Sequence, residues 1–164
     1  MGSLKTRYRG IKLPGSRKRA KNDEAALQRS IVQWAGYQPG VRDFLFAIPN
    51  GGLRTLEGAI HLRLQGVKPG VSDLFLALPR GGYHGLFIEC KTPTGRGRLS
   101  PAQRDWIERV TNVGYLATVV NDFQRATEFI NNYSRGTIQR GDNTSIQTES
   151  RQPAAGCAQN HRRS

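Results

Sequence analysis

Asp73, Glu89 and Lys91 are the residues of this chain whose types and spacing can do chemistry together. Residues 71–78 alternate, with Leu74, Leu76 and Leu78 on one side and Asp73, Phe75 and Ala77 on the other, the period of a half-buried strand. Residues 86–91 set Leu86, Ile88 and Cys90 against Glu89 and Lys91 in the same way. The glycines of the intervening stretch 79–85 read as a hairpin connection. The two strands are therefore expected to be antiparallel neighbours, with Asp73 near the start of one meeting Glu89 near the end of the other. Two carboxylates held that close repel each other unless a cation sits between them. A hard divalent ion such as Mg²⁺ takes oxygen ligands and keeps several waters, which suits a two-carboxylate site with room for a phosphate. Lys91, on the face of Glu89, can hold or help deprotonate an attacking water or steady the charge of a transition state. Together these groups suit metal-assisted hydrolysis of a phosphodiester.

A short D…ExK pattern also describes a solvated strand edge, so its flanks carry weight. They read Gly66-Val67-Lys68-Pro69-Gly70-Val71-Ser72-Asp73 before the first strand, and Glu89-Cys90-Lys91-Thr92-Pro93 followed by Leu99-Ser100-Pro101-Ala102-Gln103-Arg104-Asp105-Trp106 after the second. These motifs in this order resemble the VRR-NUC (virus-type replication-repair nuclease) family of the PD-(D/E)xK nuclease superfamily. The resemblance runs from about Asp23 to Tyr133 and takes in the Pro49-Asn50-Gly51-Gly52 turn and the Gln103-x-x-Trp106 helix. It implies an α/β fold with a restriction-endonuclease-like core. It places Gln103 in the active-site set and the turn beside the site, where Asn50 and Arg54 would contact DNA. Stand-alone viral and bacterial members act as homodimers on branched DNA, which makes a four-way (Holliday) junction the expected substrate and DNA repair the expected setting.

The elements that must position these residues follow from periodicity. A helix is expected from Asn22 or Asp23 to about Ala35, with Leu27, Ile31 and Trp34 as its apolar stripe. Glu24 lies on that stripe. As a first-turn acid it is favoured by the helix dipole; by resemblance it matches the first-helix glutamate that serves as a third metal carboxylate. Residues 44–48 read as a short buried strand ended by Pro49. Thr55 can cap a second helix carrying Leu56, Ala59, Ile60 and Leu64 on one side. After Lys91, a glycine-containing loop brings Arg96 and Arg98 where they can clamp phosphates, although such loops are commonly ordinary exposed connections. Ser100, Pro101 and Gln103 form a helix start with a capping box. A strand over 115–120 and a helix capped by Asp122, with Phe123, Ala126, Ile130 and Tyr133 inward, complete a mixed central β-sheet flanked by helices.

With 164 residues, 37% of them hydrophobic, the chain supports a single domain with an ordinary core. The net charge of +13 is uneven. Residues 1–21 carry +8 and residues 134–164 carry +3, so both are read as disordered basic ends around a nuclease-like domain at 22–133. Such arms neutralise phosphates. Two cysteines and three unspaced histidines give neither a disulfide framework nor a transition-metal cluster. Cys90 is read as a small core residue whose carbonyl can join a metal. No apolar run nears the roughly 20 residues of a membrane span and no secretory signal is seen, so a soluble intracellular protein of a bacterial or phage-infected cytoplasm is expected. The leading expectation is a Mg²⁺- or Mn²⁺-dependent DNA endonuclease with no small-molecule cofactor. Asp73, Glu89, Glu24 and Cys90 would hold metal, while Lys91 and Gln103 complete the site. A restriction-type endonuclease on duplex DNA, or a non-catalytic basic module, are the alternatives.

Overall fold

A computed structural model describes residues 16–49, 56–92 and 98–141. Helix α1 (Ser16–Ala35) leads into the short strand β1 (Leu45–Ala47), then helix α2 (Leu56–Leu64). Strands β2 (Leu74–Leu76) and β3 (Leu86–Cys90), helix α3 (Pro101–Asn112), strand β4 (Leu116–Val120) and helix α4 (Phe123–Ser134) complete the order. The four strands form one mixed sheet in the order β1-β2-β3-β4, antiparallel across the first two pairs and parallel between β3 and β4. This is the expected α/β, restriction-endonuclease-like core.

Alternation along β2 and β3 decides which helices each sheet face receives. Leu74, Leu76, Leu86, Ile88 and Cys90 pack against Leu27, Ile31 and Ala35 of α1 and Ala126, Ile130 and Tyr133 of α4. On the other face Phe87 and Ala117 pack with Ile107 and Val110 of α3, and Phe75, Trp106 and Tyr115 join them. Phe75 and Phe87 face each other across the β2–β3 pair with ring centroids 4.4 Å apart, a stacked contact that locks the register. The buried Tyr133 hydroxyl donates to the Leu78 carbonyl at 2.8 Å, tying α4 to the chain just after β2.

The β2–β3 connection, residues 77–85, closes at its tip in a two-residue turn. Arg80 and Tyr83 exchange both backbone hydrogen bonds, and Gly81 and Gly82 take positive φ of 58° and 80°, which twist the turn in the sense that suits a hairpin. A Cβ on Gly81 would lie 1.8 Å from the Ile138 carbonyl oxygen. No other residue fits there.

The structure differs from the sequence reading at both ends of the domain and in the burial of several side chains. Helix α1 starts at Ser16, inside the stretch read as a disordered arm, because Arg, Lys and Ala continue a helix readily without an apolar stripe. Strand β1 is an edge strand: only Leu45 is buried, and Phe46 is 50% exposed. Phe123, expected to face inward, is 40% exposed at the start of α4. Beyond α4 the chain stays on the domain, with Ile138 packed on the core and the Arg140 amide donating to the Gly81 carbonyl. The proposed cap of α2, Thr55, lies outside the described residues; Ile60 and Leu64 of that helix are exposed.

Candidate active site

Extending the β2–β3 register by one pair beyond Leu74 and Ile88 sets Asp73 opposite Glu89, on the face that α3 covers. The Asp73 carboxylate accepts from the Cys90 amide at 2.9 Å through Oδ2, so it is clipped to the end of β3. Its own carbonyl accepts from the Ile48 amide at 2.8 Å, which brings the end of β1 to the same place. Glu89 is 1% exposed and Lys91 8% exposed. The Lys91 ammonium donates to Glu89 Oε1 at 2.8 Å and to Gln103 Oε1 at 3.2 Å, while Gln103 Nε2 donates to the same Glu89 oxygen. Helix α3 thus completes the constellation that β2 and β3 begin.

The two oxygens of Glu89 are used unequally. Oε1 takes both donors, whereas Oε2 is buried with no hydrogen-bond partner among the described residues. A buried carboxylate oxygen left without a donor is costly unless another ligand takes it. Burial is the main force that raises the Glu89 carboxyl to about 7, helped by the Asp73 charge and, more weakly, by Glu24, and opposed by Lys91. Asp73 is raised for the same first reason, with the Cys90 amide and the Lys91 charge pulling back. The pair thus holds its negative charge reluctantly, as expected of buried carboxylates that a bound cation would favour in the ionised form.

Both Asp73 and Glu89 supply hard oxygen donors, the set that Mg²⁺ or Mn²⁺ prefers. The unpartnered Glu89 Oε2 is an atom ready to accept such an ion. The Cys90 side chain points to the opposite face, where burial pushes its thiol well up, so only its backbone is suited to a metal on this side. Among the described residues no group of three or more His, Cys, Asp or Glu side chains converges to hold a metal. Glu24 stands near enough for its charge to be felt at Glu89 and Cys90.

The residues brought together are therefore Asp73, Glu89, Lys91 and Gln103, with Cys90 between them and Glu24 close by. Arg98 is exposed just before α3. Asn50, Arg54 and Arg96 lie outside the described residues. Two participants were not singled out for the site from sequence. Ser100 bonds Gln103 twice, its amide donating to Oε1 at 2.9 Å and its hydroxyl accepting from the Gln103 amide at 3.2 Å. Gly70, with φ of 84°, lies so close to α3 that a Cβ there would sit 2.3 Å from the Ala102 carbonyl oxygen. The Ser-Pro-x-Gln spacing was the signal for Ser100. Nothing local signalled the contact of Gly70.

Comparison with known proteins agrees with this geometry. No curated protein matches the chain. A solved structure described as a VRR_NUC domain protein is similar, with 29% identity and a TM-score of 0.59 over 68% of this chain and 88% of that one. The model of the VRR-NUC domain matches residues 14–123, more than half of the chain. The protein belongs to the VRR-NUC domain family, and its function is of the nuclease type.

Proposed function

We propose that this protein is a divalent-metal-dependent DNA endonuclease whose preferred substrate is branched DNA. One observation carries the metal dependence: Glu89 Oε2 is buried and unpartnered beside a second carboxylate, in a site that already contains a lysine. Asp73, Glu89 and the Cys90 carbonyl would hold Mg²⁺ or Mn²⁺, with Glu24 as the further carboxylate. When bound, such an ion lowers the pKa of water and neutralises charge on a phosphate. Lys91 is held by Glu89 and Gln103 where its ammonium can orient the attacking water and stabilise negative charge building on the phosphate. Asn50, Arg54, Arg96 and Arg98 would grip the DNA backbone.

The family resemblance extends this reading to a homodimer acting on a four-way junction, since two sites related by a twofold axis would match a substrate of that symmetry. No helix among the described residues is long and apolar enough to cross a membrane. The test is a panel of four-way, flap and linear duplex DNA incubated with the purified chain in Mg²⁺, Mn²⁺ or EDTA. Metal-dependent nicking of the four-way DNA ahead of the linear duplex is expected. Equal cutting of linear duplex would favour a restriction-type enzyme. Metal-independent binding without cleavage, unchanged in Glu89→Ala, would favour a non-catalytic module. A light-scattering mass of one protomer would remove the basis for paired cutting.

A further inference from the structure

The Gln103 side chain can be read without ambiguity, because its neighbours admit only one orientation of the carboxamide. The Ser100 amide is a donor, so the atom 2.9 Å from it must be the oxygen. That leaves the Gln103 nitrogen to face Glu89 Oε1, and it leaves one remaining lone pair on the Gln103 oxygen for Lys91. A flipped carboxamide would present N–H groups to both the Ser100 amide and the Lys91 ammonium. Ser100 therefore selects the orientation that lets Gln103 accept from Lys91 while donating to Glu89. The same residue caps α3 through its hydroxyl, and the first turn of α3 is seated on Gly70, three residues before Asp73. The start of this helix thus bonds Glu89 through Gln103 and packs on the backbone of Gly70, three residues before Asp73.

We propose that Ser100 is a positioning residue for the catalytic lysine, acting through Gln103, which accepts one N–H of Lys91 and donates to the Glu89 oxygen that accepts a second. The proposal rests on the nuclease reading above. It asks more of the capping box than helix stability: the box sets the direction in which a reacting group points, and small misplacements of such groups cost rate without costing affinity.

The backbone at Ser100 offers a clean test. Its φ of −67° and ψ of 161° suit a proline that is itself followed by proline. Ser100→Ala removes the hydroxyl and keeps the amide donor, whereas Ser100→Pro removes both. Asp122→Ala is the control, since Asp122 caps α4 through the Arg125 amide without touching the site. Steady-state cleavage and hydrogen exchange of the Gln103 side-chain amide by NMR are measured on the full chain. Roughly threefold loss of kcat is expected for Ser100→Ala and roughly tenfold or more for Ser100→Pro, with KM for DNA unchanged and Gln103 exchange faster in the same order. Asp122→Ala should keep kcat and Gln103 exchange at the wild-type level. Wild-type kcat in a folded Ser100→Pro variant would overturn the proposal. So would unchanged Gln103 exchange in that variant or, should Ser100→Pro fail to fold, wild-type kcat and exchange in Ser100→Ala. A wild-type chain that cuts none of the DNA panel would overturn the nuclease reading instead, and the exchange measurement would still decide whether Ser100 holds Gln103.

Discussion

Replacing Glu89 with glutamine should stabilise the metal-free protein at alkaline pH and do nothing for it in acid. The Glu89 carboxyl sits at about 7 in the folded chain against an ordinary value of 4.5. The folded state therefore binds this proton more tightly than the unfolded state. Stability from this group is fully present below pH 4.5 and is lost as pH rises through 7. At about 1.36 kcal/mol per pH unit, the loss is about 3 kcal/mol once the group is ionised. Glutamine keeps an oxygen for the Lys91 and Gln103 donors and carries no charge to be desolvated or repelled by Asp73. Thermal melts in EDTA at pH 4.5 and pH 8 measure the difference. Glu89→Gln should melt on the order of 10 °C above wild type at pH 8, and close to it at pH 4.5. A variant that melts at or below wild type at pH 8 would refute the reasoning, because Glu89 would then be stabilised by Lys91 more than it is penalised by burial.

Three further outcomes are expected. Because metal must displace the proton on Glu89, the rise in Tm produced by millimolar Mg²⁺ should be larger at pH 8 than at pH 6, as differential scanning fluorimetry can show. Asp73→Asn keeps an oxygen for the Cys90 amide but loses the charge, so cleavage should fall at least about a hundredfold with no drop in Tm; a lowered Tm would mean that the carboxylate is structural. Gly81→Ala puts a Cβ against the Ile138 carbonyl at positive φ, and urea titration should show a loss of roughly 1–3 kcal/mol.

Much of this arrangement was legible in the sequence because it depends on local periodicity. All eight elements appear in the expected order, since the apolar spacing of α1, α3 and α4 and the alternation of β2 and β3 are strong local signals. Gly81 and Gly82 announced the hairpin that brings Asp73 to Glu89. Other features depend on context that local composition does not carry. The run Phe44 to Ile48 is as apolar as a central strand, yet it forms a sheet margin where Phe46 is half exposed and stands T-shaped to the Phe75 ring. Basic residues at the start of α1 carry no apolar stripe, so their helix was invisible to a search for one. Ile138 sits in a polar stretch and packs on the core beside the distant Gly81 turn, to which the nearby Arg140 amide is bonded, a contact that only the folded chain creates. For the same reason the capping role of Gln103 could be read from Ser100 three residues away, while its bond to Lys91, twelve residues away, could not.

The most direct test of the account is the position of Mn²⁺, standing in for Mg²⁺, located by anomalous scattering in a crystal of this protein. One ion is expected within coordination distance of both Asp73 and Glu89, with Glu89 Oε2 as a ligand and Lys91 still on Oε1. An ion bound elsewhere, or a Glu89 that keeps Oε2 empty at saturating Mn²⁺, would contradict it.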